Sequence, residues 1–280
     1  MNTTSVELEE LIDSTVSIPT VPTSLLEINT IVASEDGSAS DAAEIIERDP
    51  ALATKILRLI NSSFYALRQP VTSVPLACSL VGLKVIRNVV LQASVIENTG
   101  KSGSCEGFDP AWLWDHSFKT GYAARRIAQL PMVKDQLEAD PEDAYTCGLL
   151  HDIGKVVMLD ADSERFGQAV QKSRDEEISL AVCEDEVFGF THADVGGLLT
   201  QRWKLAPHVV EAVTYHHATG AEINLALVVA AANALAHQAA STDGGYTGDL
   251  TDGKAFDTLG ISMSPADEIR EETREQTLDA

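Results

Sequence analysis

Basic residues are scarce in this chain: 20 Lys and Arg stand against 43 Asp and Glu, a formal net charge of −23. A surface so negative repels phosphate backbones, so nucleic-acid binding would need a local basic patch, and the sequence carries none. Cysteines are also few. Cys78, Cys105, Cys147 and Cys183 lie far apart without a C-x-x-C pair, which excludes a zinc ribbon and a thioredoxin-like redox motif and leaves reduced core thiols. Long apolar runs are missing too. The most apolar segment, Leu225 to Ala236, is interrupted by Asn233 and falls short of the roughly 20 residues that cross a bilayer, so a buried helix is expected there. The stretch Met1 to Glu7 has no basic region leading into apolar residues, so no secretory signal is read and the chain is expected to stay in the cytoplasm. Strand signals are sparse and no internal repeat is found. The 44% of apolar residues among 280 is enough for a continuous core in one large domain or two small ones.

What is present reads as helix. Three pairs, Asp49-Pro50, Asp109-Pro110 and Asp140-Pro141, each offer an N-cap carboxylate followed by proline at the first helical position, where its missing N–H costs nothing. After Pro50, Leu52, Ile56, Leu59 and Ile60 recur at helical spacing up to the polar Asn61-Ser62-Ser63 cluster, which suits a helix stop. Before it, Pro19 and Pro22 bracket an entry turn, and Ser24 to Val32 and Ser40 to Arg48 read as helices, the second with Ile45 and Ile46 inward. Gly82 to Gln92 carries Leu83, Ile86, Val89 and Val90 at helical spacing and reads as helix despite its β-branched residues. Asn98 to Gly107 reads as a linker between two helical halves. Ser241 to Gly253 reads as a mobile loop, and Ser264-Pro265-Ala266-Asp267 as a capping box opening a short acidic helix to about Gln276, with the acidic tail a solvated cover. The expected organisation is a lead at 1–17, a domain at 18–240 divided into 18–105 and 106–240, and the tail at 241–280.

The second half places histidines where helices begin or end. His116 follows Asp109-Pro110 by about two turns and shares a face with Trp112, four residues earlier, so its ring is expected to point inward. In Gly148-Leu149-Leu150-His151-Asp152-Ile153-Gly154-Lys155, the i−4 and i−7 residues Cys147 and Ala144 put His151 on a buried face, with Asp152 adjacent and Gly154 closing the helix. Thr191 and Asp194 form a capping box before Val195, Leu198 and Leu199, which sets His192 at the positive end of a helix. From Pro207 onward, Val209, Ala212, Val213 and His216 share one apolar stripe, with His217 beside it. Imidazole nitrogens beside a carboxylate suit a divalent transition metal, which lowers the pKa of bound water to about 7, and Lys155 could neutralise a phosphate oxygen. Each residue alone has a plainer reading. An inward histidine is more often a hydrogen-bonded core residue than a ligand, a His-His pair commonly has one ring buried and one exposed, and Lys155 reads as a solvated charge at a helix C-terminus. The ordered set is what points to chemistry.

That order, His116, then His151-Asp152-Ile153-Gly154-Lys155, then Thr191-His192 with Gly196, then His216-His217, resembles the HD superfamily of metal-dependent phosphohydrolases and in particular its HD-GYP branch. The first half narrows the resemblance. Ile45 to Leu52, Leu57 to Tyr65 and Leu80 to Lys84 are similar to the HDOD family, the HD-related output domain of bacterial signalling proteins. The likeness covers about Ile18 to His217. It implies an all-α fold, an HD-like helical bundle preceded by an N-terminal helical subdomain. It also implies that His116, His151, Asp152, His192, His216 and His217 form a ligand set for a divalent metal, Fe, Mn, Mg or Zn.

Two departures bear on activity. HD phosphohydrolases close their metal site with a further Asp on a late buried helix, and the corresponding place is Asn233, a neutral amide and a poorer ligand. The GYP loop is missing as well, since His216-His217 is followed by Ala218-Thr219-Gly220 and then almost directly by the next helix, which argues against cyclic-di-GMP hydrolysis. The expected function is a non-enzymatic regulatory module acting through protein or small-ligand contacts, with signalling proteins as partners and neither nucleic acid nor membrane. The alternative is a metal-dependent phosphohydrolase of divergent substrate range, and a third reading is a scaffold with buried histidines. No fused receiver, cyclase or kinase domain fits in the chain, so its input is expected from a separate partner or a small ligand.

Overall fold

A computed structural model describes residues 3–15, 23–62, 65, 67, 69–99, 104–217, 222–240 and 254–276. Pro19, Pro22, Ser63, the Ala218-Thr219-Gly220 stretch and the loop expected at Ser241 to Gly253 lie outside them. Among the described residues the regular elements are all helices, and Cys105 and Phe108 form an isolated bridge. No helix there is long and apolar enough to cross a membrane.

The chain forms two compact units, one of residues 19–100 and 276–280, the other of residues 1–18 and 101–275. Helix α1 (Thr3–Ser14) belongs to the larger. The smaller contains α2 (Thr23–Ala33), α3 (Ala39–Glu47), α4 (Pro50–Ile60), α5 (Val74–Val81) and α6 (Leu83–Thr99). Its core is Leu25, Ile28, Ile46, Ile56, Ile60, Ile86 and Val89, all nearly inaccessible. The expected Asp49 cap is in place, its carboxylate accepting from the N–H groups of Ala51 and Leu52. Helix α6 runs on through Asn98 and Thr99, which read as linker in the sequence.

The larger unit contains α7 (Pro110–Gln129), α8 (Pro131–Lys134), α9 (Pro141–Leu150), α10 (Ile153–Ala161), α11 (Ser163–Glu176), α12 (Leu180–Phe188), α13 (His192–Arg202), α14 (Pro207–Tyr215), α15 (Leu225–Ala239), α16 (Lys254–Leu259) and α17 (Met263–Glu275). Asp109 and Asp140 cap α7 and α9 as expected. Helix α15 is the buried centre: every residue from Leu225 to Ala236 is buried, and α7, α9, α14, α16 and α17 pack around it. Helices α7 and α9 lie so close that a methyl added at Gly148 would stand 2.8 Å from the Cα of Gly121, so only glycine fits at that crossing.

From the expected lead and tail, helices α1, α16 and α17 are part of this unit rather than appendages. Helix α1 packs on α10 and α13, buries Ile12, and Asp13 pairs with Arg202 at 2.5 Å. Helix α17 starts one residue earlier than the expected box, with Ser262 O accepting from Ala266 N–H, while Asp267 turns to Arg270 at 2.9 Å. It is not a solvated cover. Ile269 and Thr273 are buried, and Glu272 holds Arg126 of α7 through two bonds of 2.6 and 3.0 Å, with Tyr122 Oη donating at 3.1 Å.

Candidate metal centre

The interior of α7 and the facing ends of α9, α10, α13 and α14 bring the six candidate ligands together around one carboxylate. Between α9 and α10 the backbone breaks at Asp152, with φ −99° and ψ 8°, in the sparsely allowed bridge region. Its Oδ2 lies 3.2 Å from His151 Nε2 and 3.9 Å from His116 Nε2, while its Oδ1 lies 3.2 Å from His192 Nε2 and 3.7 Å from His216 Nε2. Each oxygen therefore faces its own pair of histidines. His217 joins the second pair, with its Nε2 2.8 Å from His192 Nε2. Two groups of ligand atoms result, His116 with His151 and Asp152, and His192 with His216 and His217, each close enough to hold an ion. His116, His151, Asp152, His192 and His216 are 2% exposed or less, and His217 is partly buried.

Local structure fixes the rings. His151 Nδ1 lies 2.8 Å from Gly148 O and His216 Nδ1 2.7 Å from Val213 O. A carbonyl can only accept, so in the neutral ring the proton sits on Nδ1 and Nε2 keeps a lone pair toward Asp152. His116 is set by Trp112, stacked on it at 5.0 Å and 2° as the i−4 spacing predicts. The capping box of Thr191 and Asp194 is formed and starts α13 at His192. Buried atoms without a hydrogen-bond partner include His151 Nε2, His216 Nε2 and Asp152 Oδ1. Such groups are costly unless something satisfies them. The unprotonated Nε2 atoms of His151 and His216 beside an anionic oxygen are what a divalent cation requires, so these residues fit the ion that the resemblance implies.

Two residues differ from their expected roles. Gly154 does not close α9 but lies in the first turn of α10, where that helix crosses α13. A methyl there would run into His192 O and stand 2.9 Å from Gly196 N. Lys155 is not a solvated charge. Helix α10 continues through it, burial leaves it 3% exposed, and its Nζ donates to Asp152 Oδ2 at 2.7 Å. Burial works to raise the Asp152 carboxyl, but the neighbouring His151 and Lys155 outweigh it and hold the group well below the usual carboxylate range.

Sequence reasoning missed two participants. Glu184 of α12 is fully buried, and its Oε2 accepts from His192 Nδ1 at 2.5 Å and from the His192 backbone N–H at 2.8 Å. Nothing in the sequence linked it to a histidine eight residues on in another helix. His237 of α15 has its ring centroid 4.3 Å from that of His116. It lies one turn beyond Asn233, and that i,i+4 spacing on a helix already singled out was a usable signal. Asn233 itself is buried, and its Oδ1 has no partner.

The imidazoles split electrostatically. Burial, and then the neighbouring histidines, push His116, His216 and His217 well below 6.5. Burial acts the same way on His192, but Glu184 overcomes it and lifts the ring to about 9. For the three lowered groups the unfolded chain binds protons that the fold refuses, so stability falls as pH drops below about 6.5. For His192 the stabilisation is complete below about 6.5 and is lost as pH rises through 9. Metal-free protein should therefore be most stable near pH 6.5, with lower urea midpoints at pH 5.5 and pH 9. A midpoint that rises steadily across this range would contradict the assignment.

A family model described as the HDOD domain matches residues 18–219. A relative from Treponema pallidum (strain Nichols), named only as an uncharacterized protein, is 30% identical over 200 residues, 71% of this chain and 37% of its own length. The chain thus spans little more than a third of that curated relative. The crystal structure of an HDOD domain protein of unknown function from Geobacter sulfurreducens superposes with a TM-score of 0.77 at 23% identity, over 99% of both chains. A protein from Shewanella amazonensis SB2B, provisionally described as a phosphohydrolase, superposes with a TM-score of 0.68 at 24% identity, over 96% of this chain and 98% of its own. At these identities the structural likeness shows the shared fold.

Proposed function

Because the chain belongs to the HDOD family, whose fold is related to the HD phosphohydrolases, we propose that it is a regulatory module built around a divalent-metal centre, acting through contacts with signalling partners rather than by turnover. One observation carries this reading: the constellation around Asp152 is assembled and buried, while the resemblance to HD phosphohydrolases puts the neutral Asn233 where they keep their closing carboxylate. His116, His151 and Asp152 would hold one ion, and His192, His216 and His217 a second. A bound ion would supply a Lewis acid and a water of lowered pKa. Around it, this chain's own residues orient the ligand rings through Gly148 O, Val213 O and Glu184, exclude water by burial, and keep Asp152 ionised. Lys155 is committed to Asp152, so it is poorly placed to receive a phosphate oxygen. Burial of five of the six ligands also works against access by a bulky phosphodiester.

The second reading, a divergent metal-dependent phosphohydrolase, is favoured by one feature: Asp152 presents a separate oxygen to each histidine group, as the bridging ligand of a two-metal hydrolytic centre would. The two readings separate in one experiment. Metal content of the anaerobically purified protein should be substantial and should drop on His151→Ala. Asn233→Asp should bind more tightly. A screen of phosphodiesters and nucleotides with added Mn²⁺, Fe²⁺ or Mg²⁺ should find no turnover by the wild type. Metal-dependent hydrolysis that disappears on Asp152→Ala would overturn the regulatory reading, and protein without bound metal would overturn both.

A further inference from the structure

Three of the ring orientations around Asp152 are set by hydrogen bonds, and not in the same way. His151 and His216 lean on neutral backbone carbonyls, whereas His192 leans on the carboxylate of Glu184. That carboxylate sits on α12 between the buried Cys183 and Phe188 and is fully inaccessible. Burying a carboxylate is costly unless strong partners compensate, and its partners here are two N–H groups of a single residue, His192. Its Oε1 has none. The result is a chain, Glu184 to His192 to Asp152, with spacings of 2.5 and 3.2 Å, which fixes the tautomer and rotation of the ring and presents Nε2 to Asp152 and His217.

From this asymmetry we infer that Glu184 is a positioning residue for one half of the centre: it governs ion binding by His192, His216 and His217 and leaves the His116, His151 and Asp152 group unaffected. A carboxylate behind a ligating imidazole both orients it and makes it a stronger donor, and losing such a partner typically costs 10–100-fold in affinity. The inference rests on the metal centre proposed above and adds that the two ions are held by unequal supports.

The test is a titration of the chelator-stripped full chain with Zn²⁺, buffered by a competing chelator so that the two affinities can be read separately. Wild type is expected to take up two ions. Glu184→Gln should weaken one of them by 10–100-fold and leave the other unchanged, and His116→Ala should remove the other. Glu184→Asp keeps the charge one methylene short and should fall between, which carries the test if Glu184→Gln does not fold by circular dichroism. Two unchanged affinities in Glu184→Gln, or two affinities weakened alike, would overturn the inference. Wild type that binds no zinc would overturn the metal centre itself.

Discussion

Asp152→Ala should destabilise the metal-free protein by about 3–5 kcal/mol, the cost of breaking a buried ion pair and leaving one charge behind. The charge left behind is Lys155, 3% exposed, whose Nζ rests on Asp152 Oδ2 at 2.7 Å. The same substitution takes away the oxygens that face His116 and His151 on one side and His192 and His216 on the other, so both ions should be lost together. Adding Lys155→Met should recover most of the stability and none of the metal, because an apolar replacement of the whole pair leaves no unpaired charge but restores no ligand. Urea denaturation of the two single variants and the double, beside metal analysis, measures both quantities. If Asp152→Ala unfolded within about 1 kcal/mol of wild type, the size of an average substitution's effect, Asp152 could not be the charge that holds this cluster together.

Gly154→Ala is the second large effect. Overpacking a well-filled interior costs roughly 1–3 kcal/mol, and more where the obstacle cannot move. Here the obstacle is backbone, His192 O and Gly196 N, on the helix that carries His192 itself. The methyl would have to separate α10 from α13, and with them Asp152 from His192. We expect a loss of at least about 3 kcal/mol, at the upper end of that range, together with loss of the ion held by His192, His216 and His217. Gly167→Ala is the fitting control, since the nearest atom a methyl would meet there is the side-chain Cβ of Cys105 at 3.3 Å. Thermal melts of the two variants should differ clearly. Equal melts would mean that the two helices can part without strain.

Much of the framework was legible in the sequence because it is written locally. Asp49, Asp109 and Asp140 cap helices within three residues of themselves, and Thr191 with Asp194 closes a box of four. The apolar stripes, the run of α15 and the inward face of His116 all follow from the 3.6-residue repeat, which needs no knowledge of partners. The order of the histidines was equally plain, and the structure gathers all six candidate ligands in one place.

Tertiary structure alone decided the rest, for one physical reason: these features depend on what lies across a helix crossing, and sequence spacing does not encode that distance. Lys155 looked like an exposed terminal charge until the bend at Asp152 continued as α10 and buried it. Gly154 looked like a helix stop, while its actual role is set by a backbone some forty residues away in sequence. The tail looked solvated, but Arg126 and the apolar floor of α7 and α15 capture it. Glu184 gave no sign at all, since its meaning lies wholly in the imidazole it touches. The chain by itself thus determined which helices form and which donors they carry. Only their packing determined how one carboxylate divides those donors into two groups and which side chain supports each.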